Sequence, residues 1–289
     1  MLQMVKHIFS VILSISLFGC STLDIKGVFV PTGEGVEKRF EQSREMNEGL
    51  KAYTFYAEPG YFFYVAADPH VNETYRHLGM FNDDLKNDKE ALFGVVLGDC
   101  TDIRDNLPRY FEALEFIPSK HSFNQKIFHI LGNHDVFFNG WTDFKEMAGA
   151  SVYWFEVVTP EGKDLYISLD TATGTLGRKQ NDWFRSFLSN VRKDYRHCVV
   201  LTHTNFFYTD TTQDSSGNMP LEECFSLIDF LGKHNVSIVL QGHDHYRNDI
   251  TYNDVRYTVL GAISDLMEAP EYLKIKVADD GLHLDWFTY

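Results

Sequence analysis

The 289-residue chain is poor in sulfur and in positive charge: it has four Cys, and 26 Lys and Arg face 41 Asp and Glu, for a formal charge of −15. So few cysteines, none in Cys-x-x-Cys spacing, exclude a disulfide scaffold and a thiolate-rich structural zinc site. The acidic balance repels the phosphates of DNA and RNA, so a grip on any phosphorylated compound requires a local positive centre. Long hydrophobic runs are also lacking. A helix needs about 20 apolar residues to cross a bilayer, which excludes a polytopic membrane protein. What is present is a globular composition, 44% hydrophobic and 15% aromatic, enough for one large core or two modest ones.

Residues 1–19 read as a lipoprotein signal peptide. Lys6 and His7 make a short basic start, Ile8 to Phe18 is an apolar stretch too short to span a membrane, and Gly19-Cys20 follows. Leu17-Phe18-Gly19-Cys20 resembles the bacterial lipobox, which implies lipidation of Cys20 and a place in the bacterial cell envelope, anchored in the periplasm or at the outer surface. Cys100, Cys198 and Cys224 are then an odd set, expected as buried thiols. The charged stretch Glu34 to Leu50 makes residues 20–58 a linker or early helix with a solvated face, and 59–289 a single domain.

Within that domain short apolar runs stop at polar clusters. Tyr61 to Ala67 ends at Asp68-Pro69-His70, Leu92 to Leu97 at Gly98-Asp99, and Ile127 to Leu131 at Gly132-Asn133-His134-Asp135. Cys198 to Leu201 ends near His203, and Ile238 to Leu240 at Gly242-His243-Asp244-His245. Helical spacing separates them in Asn181–Val191 and Leu221–Leu231. Strands alternating with helices predict an α/β fold of parallel sheets covered on both faces, with ligands at the carboxyl ends of the strands. At the end, Leu273–Val277 and Leu282–Phe287 flank Asp280-Gly281 and predict a hairpin.

The clusters offer carboxylate, imidazole and one carboxamide: Asp68, His70, Asp99, Asn133, His203, His243 and His245, with His134 among them. Mixed oxygen and imidazole donors suit first-row divalent ions. Seven ligands exceed the needs of one open catalytic ion and match two ions that share a bridge, which would also supply the missing positive charge.

These motifs, in this order, resemble the calcineurin-like metallophosphoesterases. The resemblance implies two packed mixed sheets flanked by helices and two divalent transition-metal ions, Mn, Fe or Zn. Asp68, His70, Asp99 and His245 would hold one ion, and Asp99, Asn133, His203 and His243 the other, with Asp99 bridging. The activity implied is hydrolysis of small phosphomonoesters or phosphodiesters through a metal-bridging hydroxide. His134 would protonate the leaving oxygen or steady the phosphate, and Asp135 would tune it. Leu169-Asp170-Thr171 with Gly177, Gln180 and Trp183 is similar to a stretch of the class III cyclic-nucleotide phosphodiesterase branch. Purple acid phosphatases carry a Tyr where this chain has Asp102 and a Gly where it has His70, and His203 is followed by Thr204-Asn205 where many phosphodiesterase relatives have His-Pro.

The aromatics Phe137, Phe138, Phe206, Phe207 and Tyr208 stack on a substrate ring or pack in the core or rim, and Thr209 to Asn218 is a lid or an inert loop; the sequence leaves both open. The expected partners are a small phosphorylated substrate and a membrane through Cys20, with neither long nucleic acid nor a protein partner. The alternative is a non-catalytic surface lipoprotein that uses the fold as a binding module.

Overall fold

The structure, a computed structural model, describes residues 33–115, 127–207 and 218–289. In chain order these hold α1 (Val36–Met46), β1 (Lys51–Tyr56), β2 (Phe62–Ala66), α2 (Arg76–Asn87), β3 (Ala91–Val96), α3 (Leu107–Ala113) and β4 (Ile127–His129). There follow α4 (Trp141–Met147), β5 (Tyr153–Thr159), β6 (Gly162–Ser168), α5 (Gly177–Val191), β7 (His197–Leu201), α6 (Leu221–Lys233) and β8 (Ile238–Gln241). The chain ends in β9 (Asn248–Tyr252), β10 (Val255–Val259), β11 (Glu271–Ala278) and β12 (Gly281–Thr288). The signal peptide, Cys20 and most of the 209–218 loop lie outside the described residues, and among the described residues no helix is long and apolar enough to cross a membrane.

Two sheets form. One has seven strands in the order β1-β5-β6-β7-β8-β10-β9, the other five in the order β12-β11-β2-β3-β4. Both are mixed, as the family resemblance implies, whereas strand and helix alternation alone predicts only parallel pairing. The parallel pairs β6-β7 and β7-β8 lie at the centre of the larger sheet and β2-β3 and β3-β4 run to one edge of the smaller, while antiparallel hairpins widen the far edge of each.

The period-2 side-chain alternation of a strand explains the layering. Phe63 and Val65 of β2, Phe93 and Val95 of β3, Val199 and Leu201 of β7 and Ile238 and Leu240 of β8 face the core between the sheets. The intervening Tyr64, Ala66 and Val96 pack under α2, α3 and α4 with Leu78, Phe81, Tyr110 and Trp141. Val200 and Val239 pack under α5 and α6 with Phe184, Leu188 and Leu227. Helices therefore cover both outer faces, giving four layers. Aromatic stacking locks the middle: Phe128 lies parallel to Phe155 at 4.0 Å, and Phe93 meets Phe155 edge-on at 5.2 Å.

The boundary expected at residue 59 does not divide this structure, because β1 pairs parallel to β5 inside the seven-stranded sheet. The early helix keeps a solvated face and has a buried one as well. In α1, Val36, Arg39, Phe40 and Ser43 share one buried face, the spacing of an amphipathic helix. Arg39 is fully buried and grips the equally buried Asp170 with Nε and Nη2 at 2.8 and 2.9 Å. Gln180 completes the clamp, accepting from the Asp170 amide at 2.8 Å and donating to its carbonyl at 2.9 Å. The Asp170 to Gln180 stretch is thus a joint between α1, β6 and α5. Cys100, Cys198 and Cys224 are buried and free of disulfides.

Candidate metal centre

Every strand expected to end at a polar cluster does so, on one side of the molecule. Asp68 and His70 follow β2, Asp99 follows β3, Asn133 follows β4, His203 follows β7, and His243 and His245 follow β8. The first three of these strands belong to one sheet and the last two to the other, so the cluster sits where the two sheets meet. The loops are stitched together by backbone. The Asp68 amide donates to the Gly98 carbonyl at 3.2 Å, His70 to Asp99 at 3.0 Å, and Gly242 to His203 at 2.9 Å.

The backbone there is unusual. Asp68, His70, Asp99, His243 and His245 all have positive φ, between 42° and 77°. A non-glycine residue in the left-handed region costs on the order of 1 kcal/mol or more, and such residues gather where a side chain must be aimed. The glycines beside them allow the approach. A Cβ on Gly132 would fall 2.2 Å from Asp99 Oδ1, and one on Gly242 would fall 2.7 Å from Asp68 Oδ2.

Three groups of donors gather among the described residues. Asp68, His70, Asp99 and His245 each bring one ligand atom within 4.8 Å of the others, as do Asp99, His203 and His243, so Asp99 belongs to both; the third group is His70, Asp102 and His134. Asn133 joins the second group, with Oδ1 2.8 Å from His203 Nε2 and 3.0 Å from His243 Nδ1. All seven residues expected as ligands are thereby brought together in the two expected sets.

The donors fit cations better than they fit one another. His70 Nε2 and His245 Nε2 face each other at 2.9 Å, and His203 Nε2 faces His243 Nδ1 at 3.2 Å. Such pairs of ring nitrogens, surrounded by carboxylate oxygens, match the nitrogen and oxygen ligand chemistry of Mn, Fe or Zn.

The outward ring atoms are held too. His203 Nδ1 donates to the Leu97 carbonyl at 2.7 Å, and His70 Nδ1 donates to Asp102 Oδ1 at 2.6 Å. Each bond fixes a tautomer that leaves Nε2 free to coordinate. Asp102 enters the sequence reading only as the residue standing in place of a Tyr. Its role appears in the fold, where it touches His70 and stands 3.6 Å from His134 Nδ1.

Asp135 needs correction. It is buried, and its two carboxylate oxygens accept from the backbone amides of Cys100 and Gly132, both at 2.9 Å. It braces the loops after β3 and β4 rather than tuning His134; the carboxylate beside the His134 ring is Asp102. His134 itself sits at the mouth, a quarter exposed, with Nε2 4.0 Å from Asp99 Oδ2 and its amide donating to Asp99 Oδ1 at 2.9 Å.

The electrostatics carry the mark of crowding. Burial, with Asp99 adding to it and His203 and His70 pulling the other way, pushes the Asp68 carboxyl up to about 7, while burial and the positive His203 hold His243 down to about 3. Burial works against the His203 imidazolium, but Asp99 and Asp68 outweigh it and raise it to about 10. For His70 the Asp102 bond and Asp99 likewise overcome burial, to about 9. Among the described residues, Asp68, Asp99 and Asp102 have ion-pair partners only among histidines. The compensation such a pocket calls for is a multivalent cation.

Two mixed sheets between helices, with an oxygen and imidazole pocket at their junction, define a metal-dependent hydrolase scaffold. Residues 63–247 match the family model of the calcineurin-like phosphoesterases, and the chain belongs to that family. Its fold is similar to that of a dimetal phosphatase from Danio rerio, with TM-score 0.56 and 13% identity over 80% of this chain and 100% of the other. It is similar to the purple acid phosphatase PPD1 of yellow lupin seeds, with TM-score 0.59 and 14% identity over 80% of this chain and 52% of the other. It is also similar to GAP50 of Plasmodium, described as the anchor in the inner membrane complex, with TM-score 0.58 and 16% identity over 80% and 85%. A search of curated proteins finds no matching sequence. The comparisons support the family and do not single out the cyclic-nucleotide phosphodiesterase branch.

Proposed function

We propose that this chain hydrolyses small phosphomonoesters or phosphodiesters with two divalent ions held by Asp68, His70, Asp99, His245 and by Asp99, Asn133, His203, His243. The observation that carries the reading is Asp99, whose carboxylate belongs to both donor groups. When bound, a pair of such ions clamps a phosphoryl group, stabilises its developing charge and makes a nucleophilic water available near neutral pH.

The chain's own residues supply the rest. Asp102 orients His70 through the bond to Nδ1, and the Leu97 carbonyl does the same for His203. His134 Nε2 faces the site while Nδ1 lies toward Asp102, so a proton held on Nε2 is available to the leaving oxygen and the resulting imbalance of charge is met by Asp102. Asp135 keeps the loops bearing Asp99 and Asn133 at a fixed separation.

The test is hydrolysis of p-nitrophenyl phosphate and its bis ester with manganese, abolished by chelator, with elemental analysis of the loaded protein. About two ions per chain and chelator-sensitive turnover are expected. Metal uptake with no turnover across a broad ester panel would instead support the binding-module alternative, the role that the description of GAP50 suggests for that relative. An anchor on Cys20 in the cell envelope belongs to the same proposal. It rests on the lipobox-like Leu17-Phe18-Gly19-Cys20, and transfer of the protein from membrane to soluble fractions on Cys20→Ala checks it.

A further inference from the structure

Four of the exposed large apolar side chains lie on four different loops that carry or adjoin residues of the metal centre. Ile103, 49% exposed, adjoins Asp102 after β3, and Phe138, 50% exposed, lies four residues beyond His134 after β4. Tyr246, 38% exposed, adjoins His245 after β8. Leu266, 78% exposed, is three residues beyond Ile263, whose amide donates at 2.9 Å to the carbonyl of Ala67, the neighbour of Asp68.

None of the four is on an unsupported stretch. The Ile103 carbonyl accepts from Thr101 Oγ1 at 3.1 Å and from the Asn106 amide at 2.9 Å. Phe138, with φ of 54°, is held in a turn closed by the Gly140 amide on the Phe137 carbonyl at 2.9 Å. Tyr246 bonds through its side chain to Asp244, which also accepts from Asn205. Asp265, next to Leu266, takes the amides of Arg76 and His77 at 2.8 and 2.9 Å. A large side chain exposed on a fixed turn loses little freedom when it is covered.

Charge at the mouth points the same way. The arginines on the loops of Ile103 and Tyr246 are engaged elsewhere: Arg104 pairs with Asp143 through both Nε and Nη2, and Arg247 pairs with Glu271 and lies over the Trp286 ring at 3.9 Å. Asp102 adds a negative group, one third exposed. A second phosphate or a carboxylate on the substrate would meet this carboxylate and no waiting cation on these loops, whereas a hydrocarbon group would cover apolar surface now in water.

From this rim we infer that the substrate is a phosphoester of an uncharged, apolar alcohol, with Phe138, Leu266, Ile103 and Tyr246 setting that preference. The inference rests on the phosphoesterase reading. Two matched pairs test it on the manganese-loaded full chain: hexyl phosphate against glycerol phosphate, and p-nitrophenyl hexyl phosphate against p-nitrophenyl methyl phosphate. Within each pair the leaving groups are alike or identical, so the rate ratio reports the remote group. The hexyl ester is expected to have a kcat/KM on the order of tenfold higher in the pair that is turned over.

The double variant Phe138→Asn, Leu266→Ser should bring that ratio down to within about threefold of unity; Asn tolerates the left-handed backbone at position 138. Phosphatidic acid in neutral-lipid vesicles is run alongside. Turnover of the vesicle lipid and the hexyl ester supports the inference with a membrane source, and turnover of the hexyl ester alone supports it with a soluble one. Equal rates within both pairs, or an unchanged ratio in the double variant, would overturn the inference while leaving a phosphoesterase. Absence of metal-dependent turnover on every ester would remove the phosphoesterase reading itself.

Discussion

The two ends of the sheets solve the problem of buried charge in opposite ways. At the amino ends, Asp164 is fully buried and fully answered: Arg196 reaches it with Nη2 at 2.8 Å and Nε at 3.2 Å, and Tyr61 donates to it at 3.0 Å. At the carboxyl ends, Asp68 and Asp99 are equally buried, yet their neighbours are imidazoles aimed at one another on left-handed backbone. The first end is closed by the chain's own cation and serves stability. The second is left open for cations the chain does not encode, and the strain there is offset by the packing of the four layers beneath it.

The largest effect expected from breaking this contrast is on turnover. Asp99→Asn weakens the one carboxylate common to both donor groups, and kcat/KM on nitrophenyl esters should fall at least about a thousandfold with loss of bound metal, read by elemental analysis. His134→Gln should separate chemistry from binding. The rate should drop by about two to four orders of magnitude while both ions remain, because its ring belongs to neither of the two donor groups that share Asp99. Full activity in either variant would break the assignment.

The amino-end counterpart should behave in the opposite sense. Arg196→Met strands Asp164 without its cation and should lower unfolding stability by roughly 3 to 5 kcal/mol in denaturant titration, because the unpaired charge stays buried. The protein that remains folded should still bind metal.

Smaller again is the effect of loading the open end. Manganese at about a hundred times its Kd should stabilise the wild type by about 2.7 kcal/mol for each site filled, seen as a rise in Tm, and should barely move Asp99→Asn.

The smallest effect concerns a buried histidine that belongs to neither charged cluster. Burial depresses His129 to about 3, so the unfolded chain binds the proton more readily than the folded one. Stability from this group is intact above about 6.5 and is lost as pH falls from there toward 3. His129→Gln should flatten part of that slope in a pH series of urea titrations. An unchanged slope would show that other groups dominate acid unfolding.

Much of this was legible in the primary structure, and the reason is local. A run such as Phe62 to Ala66 that stops at Asp68-Pro69-His70 carries both its strand and its functional loop within about nine residues, and the same holds for Asp99, Asn133, His203, His243 and His245. The hairpin of β11 and β12 was readable from Asp280-Gly281 for the same reason. Elements whose partners are distant were missed. Lys51 to Tyr56 is half exposed and mixed in composition, and only its parallel pairing with β5, about a hundred residues away, makes it a strand. The hairpin of β9 and β10 turns on Asn253 and Asp254, both with positive φ, a weaker signal than a turn containing glycine. Arg39 sits in a charged helix that reads as solvated until Asp170, 131 positions later, is placed against it.

Residue chemistry and spacing by themselves determined the strand-ended loops, the ligand types and the family they resemble, because each depends on neighbours in the chain. Tertiary structure alone decided that Asp102 and not Asp135 attends His134, and that Arg39 is buried against Asp170. Those facts depend on distances between segments tens to hundreds of residues apart, set by how two twisted sheets pack, and no local pattern encodes them.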